Sequence, residues 1–147
     1  MRRRPADRAA RVPAKSSGRP GLFFLRDNRG VTPAPVKPPV PFSAFEAIDV
    51  RVGTVLMVEE VPGSNKLVRL IVDFGDHQRR ILAGIKKERE NPRELEGLQA
   101  LFVVNLEPRK MMGELSEGML FDLGSPDGIA PALAVPERPV PNGTRAG

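Results

Sequence analysis

Residues 100–121 read ALFVVNLEPRKMMGELSEGMLF, two apolar runs of strand length on either side of a polar, turn-rich segment. The first run contains the aromatic Phe102 and the β-branched Val103 and Val104, residue types that suit a pleated, half-buried strand. Pro108 prevents that strand from continuing. The pattern therefore predicts two strands joined by a loop that carries Asn105, Arg109, Lys110, Ser116 and Glu117.

That loop has the composition of a binding site. Arg109 and Lys110 are cationic donors suited to phosphate oxygens, and Asn105 can hydrogen-bond either a base edge or the backbone of its own loop. A solvated hairpin loop is the alternative interpretation of the same residues. Three methionines are open to two interpretations, core packing or adaptable contacts to a ligand: Met111, Met112 and Met119.

The composition of the 147-residue chain excludes several classes of protein. It has no cysteine and one histidine, His77, so disulfides, thiolate metal sites and a histidine-based catalytic triad lack the residues they need. No apolar run approaches the length of about 18 residues that a membrane-spanning helix needs. No glycine-rich phosphate loop is present. We therefore predict a non-catalytic protein with no metal, no cofactor and no membrane contact. The expected location is the cytoplasm, although the absence of cysteine does not by itself decide the compartment.

The net charge of +5 is unevenly distributed along the chain. Residues 1–41 contain ten Lys/Arg, two Asp and eight of the sixteen prolines, and they carry a charge of +8. This segment has too few apolar side chains to offset the entropy of ordering, so it is predicted to be a disordered basic tail. Residues 42–147 carry a charge of −3 and form the predicted folded domain. An anion-binding site in that domain must therefore be a local patch.

Three more strands and a short helix precede residue 100. Alternating or β-branched side chains predict strands at residues 48–58, 66–75 and 79–85, and Gly53 indicates a bulge or a bend at a barrel corner. Between the third and fourth strands, the N-cap, first-turn and C-terminal signals of a short helix stand at Asn91, Pro92 and Gly97.

The start of the folded domain carries a second helix signal. Ser43 and Glu46 have the spacing of a capping box on a short helical turn. Five strands with a helix between the third and fourth, followed by a proline-punctuated extension, match the order of an OB-fold, a five-stranded Greek-key barrel. The short strands alone would also fit other small barrels, and the position of the helix favours the OB-fold.

Six blocks of residues, in order from residue 42 to the C-terminus, resemble one family. They are Asp49–Gly53, Gly63–Leu67, Ala83–Ile85, Asn105–Met111, Ser116–Met119 and Pro136–Gly143. With them the chain resembles the bacterial tRNA-binding domain. That domain occurs at the C-terminus of methionyl-tRNA synthetase, as a stand-alone dimeric tRNA-binding protein and as the chaperone CsaA. The resemblance implies an all-β, five-stranded OB-fold barrel with a short helix between strands 3 and 4.

The resemblance also implies a function, partners and contact residues. The function is structure-selective, non-catalytic binding of tRNA that assists aminoacylation in trans, with an aminoacyl-tRNA synthetase as a further partner. The stand-alone members are homodimers joined through the C-terminal extension, here residues 125–147, which places Ile129, Leu133, Val135 and Val140 in the interface. A monomeric barrel whose C-terminal extension packs on its own chain is the alternative. The residues expected to contact RNA are the matching Lys66, Asn105, Arg109, Lys110, Ser116, Glu117 and Met119, joined by Arg80, a cation at a predicted strand end.

A CsaA-like chaperone is the alternative on the same fold. Such a protein would bind unfolded or pre-secretory polypeptides in a hydrophobic pocket of the dimer. Two sequence motifs resemble the tRNA-binding form of the family more than they resemble CsaA: Asn65-Lys66-Leu67 and Pro108-Arg109-Lys110-Met111. We therefore favour tRNA as the ligand.

Overall fold

The computed structural model describes residues 32–147. The predicted disordered tail lies outside the described residues except for its last part, residues 32–41, which is exposed and has no regular secondary structure. A short helix, α1 (Phe42–Glu46), follows it. The predicted capping box is wrong: Pro41 is the N-cap and no side chain caps the helix, because Ser43 already lies inside the first turn.

The described residues are mostly β, and a 3-10 turn at Pro92–Leu95 lies between the third and fourth strands. The strands are β1 (Val50–Glu60), β2 (Val68–Asp73), β3 (Gln78–Ala83), β4 (Gln99–Val103), β5 (Arg109–Met111), β6 (Glu114–Ser116), β7 (Met119–Leu120), β8 (Asp122–Leu123), β9 (Ala132–Leu133) and β10 (Arg145–Ala146).

One strongly curled antiparallel sheet contains the five predicted strands in the order β3-β2-β1-β4-β7, and β10 also pairs with β1. The curl comes from β1, whose first half pairs with β4 and whose second half pairs with β2. Its register shifts between Val55 and Met57, further along the strand than the predicted bulge at Gly53. Gly53 is instead a point of close packing, since a Cβ there would lie 2.6 Å from Val72 Cγ1.

The core fills the concave side of this sheet. The alternation predicted for β2 is confirmed, because Val68, Leu70 and Val72 are buried while the residues between them are only partly so. Phe74 and Phe102 meet edge to face at the centre, with ring centroids 5.6 Å apart. Burying each such side chain contributes about 1.5–3 kcal/mol, so the alternation of the strands decides which face of the sheet becomes the core.

The predicted helix before β4 is a single 3-10 turn, and Asn91 caps it as expected: its side chain accepts a hydrogen bond from the Arg93 N–H. Two small hairpins were not predicted. β5 and β6 pair within the segment expected to be a loop, and β8 pairs with β9 in the C-terminal extension. The strands of these hairpins are only two or three residues long, which is too short to give a periodic signal in the sequence.

The C-terminal arm, residues 136–147, is held to the curled sheet of its own chain. Val52 is bonded to it twice, its N–H donating to Thr144 O at 2.9 Å and its carbonyl accepting from Gly143 N at 2.8 Å. The Asn142 side chain accepts from Thr54 Oγ1 at 2.8 Å and from Gln99 Nε2 at 2.9 Å. The arm therefore belongs to the fold of a single chain, whatever else it contacts.

Candidate nucleic-acid interface

The β5–β6 hairpin is pinned to β3 by the hydroxyl of Ser116. This side chain is 4% exposed, accepts a hydrogen bond from Leu82 N at 3.0 Å and donates one to Gly118 O at 2.9 Å. Both hydrogen-bonding functions of the hydroxyl are therefore used inside the protein. Ser116 positions the hairpin and has no free group to offer a ligand.

Two further contacts fix the hairpin. Arg69 of β2 donates from Nε to Glu114 Oε1 at 2.7 Å and also pairs with Glu59 of β1. On the same side, Met111 packs against a small apolar cluster of Val61, Leu67 and Leu82. For Met111 the choice left open by the sequence is thereby decided in favour of packing.

Arg109 and Lys110 lie on this hairpin with their side chains exposed. No carboxylate of residues 32–147 lies within ion-pair distance of either one. Most other cations in the described part are engaged: Arg69 is paired as above, and Arg79 donates to the carbonyls of Val104 and Glu117. The hairpin thus presents two available cations on a rigid support, an arrangement suited to phosphate oxygens.

Beside the hairpin is an open groove of about 430 Å³, lined by Ile71, Gln78, Arg79, Arg80, Leu115 and Glu117. Ile71 and Arg80 are cross-strand partners, and Met57 of β1 stands next to Ile71 in the same row. Met57 and Leu115 are 51% and 53% exposed, and the Arg80 side chain is 52% exposed. The groove therefore combines apolar surface with a cation, the combination that a nucleobase and its phosphate require.

Asn105 fixes the loop in which it stands. Its Oδ1 accepts from Asp49 N at 2.7 Å and its Nδ2 donates to Ala47 O at 2.6 Å. The end of β4 is thereby tied to the segment that joins α1 to β1. Of the two roles open to this side chain, the structure provides the loop-fixing one.

Asp49 is in turn held by two guanidinium groups. Arg51 donates hydrogen bonds to both carboxylate oxygens, at 3.0 and 3.1 Å, and Arg145 reaches Oδ2 at 3.2 Å. The hydrogen bonds from Arg51, helped by the charges of both arginines, hold the pKa of Asp49 below its ordinary value. Neither arginine is therefore as available to an anion as Arg109 is.

The described residues contain no group of three or more His, Asp or Glu side chains arranged to hold a metal ion. Within that same part of the chain, no helix is long and apolar enough to cross a membrane.

Residues 50–145 match the family model described as “Putative tRNA binding domain”. The chain belongs to the tRNA-binding domain family. It is 50% identical over 107 residues to a methionine–tRNA ligase of Methanothrix thermoacetophila, a match that covers 73% of this chain and 15% of the ligase. The chain thus spans a small part of the length of that relative.

Two solved structures resemble this tRNA-binding domain over their full length. A MetRS-related protein from Pyrococcus horikoshii is 37% identical with a TM-score of 0.69, covering 76% of this chain and 100% of its own. The chaperone CsaA of Bacillus anthracis is 34% identical with a TM-score of 0.64, covering 75% of this chain and 100% of its own. A MetRS-related protein and a CsaA chaperone, both named by the sequence resemblance as kinds of protein that carry this domain, are therefore among its structural relatives.

The structure of the tRNA-binding domain brings most of the predicted RNA contacts to one region. Arg80 and Glu117 line the groove, and they are bonded to each other because Glu117 Oε2 accepts from Arg80 N at 2.9 Å. Lys66 is exposed and precedes Leu67, which packs against Met111 of the hairpin. Met119 lies in β7, partly exposed and paired with Val103 of β4.

Sequence reasoning missed the apolar residues that line the groove or stand beside it. Ile71 was recoverable, because the alternation of β2 groups it with Arg69 on the face opposite Val68 and Leu70. Met57 and Leu115 were not, since the register shift in β1 and the short hairpin that position them leave no periodic signal.

Proposed function

We propose that this protein is a non-catalytic module that binds tRNA through an OB-fold barrel and assists aminoacylation in trans. The OB-fold assignment is supported by the strand order, by the position of the 3-10 turn and by β1 pairing on both of its edges. Glu117 N also donates to Arg80 O at 2.9 Å, which brings the segment after the hairpin back to β3 and nearly closes the barrel.

The observation that carries the proposal is the pair of available cations on the pinned β5–β6 hairpin. Arg109 and Lys110 have no carboxylate partner within residues 32–147, although the folded domain has a net negative charge. Cations held on a rigid hairpin lose little freedom on binding, so they discriminate the shape of an RNA better than a flexible segment does. An aminoacyl-tRNA synthetase is the partner proposed for such a module.

The test of this proposal separates the folded domain from the basic segment before it. Residues 1–31 hold nine of the ten cations of the N-terminal segment. Deleting them is expected to weaken binding to every RNA and to flatten the salt dependence, because each lost phosphate contact removes about 0.7–0.9 from the slope. The preference for folded tRNA over unstructured RNA is expected to persist. Competition of labelled tRNA against both RNAs at several salt concentrations measures each effect.

A shortened protein that binds both RNAs equally would place the selectivity in residues 1–31 and contradict the proposal. The full chain in the same titration is the control, and its steeper salt slope reports the contribution of the deleted cations.

We further propose a homodimer built through the C-terminal extension, with Ile129, Leu133, Val135 and Val140 at its interface. Val135 and Leu123 of the β8–β9 hairpin are each about half exposed in the single chain, and a two-fold interface would bury such side chains. Leu133 is already partly buried against the core, so it would lie between the core and the proposed interface.

Val135→Asp is expected to give a monomer in sedimentation experiments, because it places a charge in the proposed apolar interface without touching the core. Asn65→Asp, which adds the same charge at an exposed position of the turn between β1 and β2, is the charge-matched control. A Val135→Asp protein that sediments like the wild type would mean that the interface, if any, lies elsewhere.

Polypeptide binding of the CsaA type is the second candidate function. The observation that favours it is the apolar surface at the groove, where exposed Leu115 and partly buried Ile71 line the wall and exposed Met57 stands beside Ile71. An unfolded peptide that displaces tRNA in the competition assay would support this function, and the same peptide added to the groove variant Leu115→Asn would show whether the groove binds it.

A further inference from the structure

The tip of the β5–β6 hairpin is a two-residue turn of unusual composition. Met112 has φ 50° and Gly113 has φ 79°, so both central residues are left-handed, as in a type I′ turn. Asn-Gly is the preferred sequence for such a turn, because asparagine tolerates this conformation better than other non-glycine residues. Met112 is the one non-glycine residue with positive φ in the described part of the chain.

Packing of the Met112 side chain offsets little of the free-energy cost of this backbone conformation. It is 57% exposed and takes no part in either apolar cluster of residues 32–147, whereas its neighbour Met111 packs against Val61, Leu67 and Leu82. The end of its side chain lies over the Pro62-Gly63 turn, with Cε 3.7 Å from the position of a Cβ on Gly63. The fold thus holds a flexible apolar side chain at an exposed tip, in a conformation that this residue type disfavours.

The surroundings of the tip point to a polyanionic ligand. Lys110 and Arg109 stand two and three residues before Met112 and have no carboxylate partner in the described residues. The Ser116, Glu114 and Met111 contacts fix the hairpin, so the tip is presented rigidly. A disfavoured backbone conformation maintained by the surrounding structure at an exposed position is a marker of a functional contact.

We propose that Met112 is a specificity-determining residue that packs its thioether against the face of an unpaired RNA base, while Arg109 and Lys110 neutralise the adjoining phosphates. This inference rests on the proposed tRNA-binding function. A thioether is attracted to aromatic faces, and every base offers such a face once it is unstacked. The site would therefore select RNAs with an accessible unpaired base close to a folded backbone, and would discriminate against continuous duplex.

The decisive variant is Met112→Asn in the full chain, because its effects on folding and binding should have opposite signs. Asparagine suits the turn, so the melting temperature is expected to stay equal or to rise. The affinity for folded tRNA is expected to fall about three- to tenfold through loss of the base contact. The salt slope should not change, since no phosphate contact is lost. Met112→Leu is the matched control and should bind within about twofold of the wild type, because it keeps an apolar side chain at the tip.

Three outcomes would overturn the inference. Unchanged tRNA affinity in Met112→Asn would mean that the tip does not contact RNA, and a lower melting temperature accompanied by weaker binding would make the role of Met112 structural. A loss of affinity for unfolded peptide but not for tRNA would assign the tip to a polypeptide ligand. Arg109→Ala with Lys110→Ala, run in parallel, separates the two proposals. If it weakens tRNA binding and Met112→Asn does not, only the role of Met112 fails; if neither does, the tRNA site fails as well.

Discussion

Replacing Arg109 and Lys110 together by alanine is expected to abolish the proposed preference of this protein for folded tRNA over unstructured RNA. The two side chains are the available cations of the hairpin, and charge-assisted contacts to phosphate are among the stronger hydrogen bonds. We expect the affinity for tRNA to fall about 10- to 100-fold and the salt slope to drop by about one to two units. Competition binding of tRNA and unstructured RNA at three salt concentrations measures both quantities.

The matched control is Arg93→Ala with Arg138→Ala, which removes the same charge outside the hairpin and the groove. Arg93 lies in the 3-10 turn and Arg138 in the C-terminal arm, where it pairs with the adjacent Glu137. If the control variant loses tRNA preference as strongly as the hairpin variant, net charge decides binding and the site assigned to the hairpin is wrong.

Removal of residues 140–147 is expected to lower the folding stability of the domain strongly, whether or not the protein forms a dimer. It deletes β10, both backbone partners of the buried Val52 and the Asn142 side chain that joins β1 to β4. Each buried polar group left without a partner costs about 1–3 kcal/mol, so the loss is about 3 kcal/mol or more. The melting temperature should fall by more than about 10 °C, as thermal unfolding followed by circular dichroism would show.

A single substitution in the same arm tests this conclusion without removing any hydrogen bond. Gly143 has φ 88°, and a Cβ there would collide with Phe74 O, whereas Gly128 has φ 69° and open space around it. Gly143→Ala should therefore lower the free energy of unfolding by about 1–3 kcal/mol more than Gly128→Ala does. Both substitutions place alanine in a disfavoured backbone conformation, but only the methyl group at residue 143 also collides with the backbone of Phe74. Equal melting temperatures for the two variants would mean that the arm is loosely attached.

The bonds between the C-terminal arm and the sheet of its own chain decide how dimerisation should be tested. Deleting the whole extension, residues 125–147, would remove part of the fold together with the proposed interface, so a monomer obtained in that way would be uninformative. Point substitutions at exposed positions such as Val135 leave the bonds of the C-terminal arm intact.

The sequence by itself determined the features that depend on local order. The alternation of β2 separated its two faces, because side chains two residues apart on a strand point to the same side. Asn91 before Pro92 located the N-cap of the 3-10 turn, because a capping side chain accepts a hydrogen bond from a backbone N–H only two residues on. The ordered blocks from residue 49 to residue 143 were sufficient to recognise the tRNA-binding domain family.

Only the tertiary structure decided which polar side chains remain available to a ligand. The sequence does not distinguish the cations Arg69 and Arg79 from Arg109 and Lys110 as binders of an anion. In the structure, Arg69 is bonded to Glu114, and Arg79 is bonded to the carbonyls of Val104 and Glu117. Asn105 and Ser116 likewise bond to Asp49 and Leu82, far away in the chain. The physical reason is that the partner of a hydrogen bond or ion pair is set by strand pairing across long separations, which the local pattern of residues does not encode.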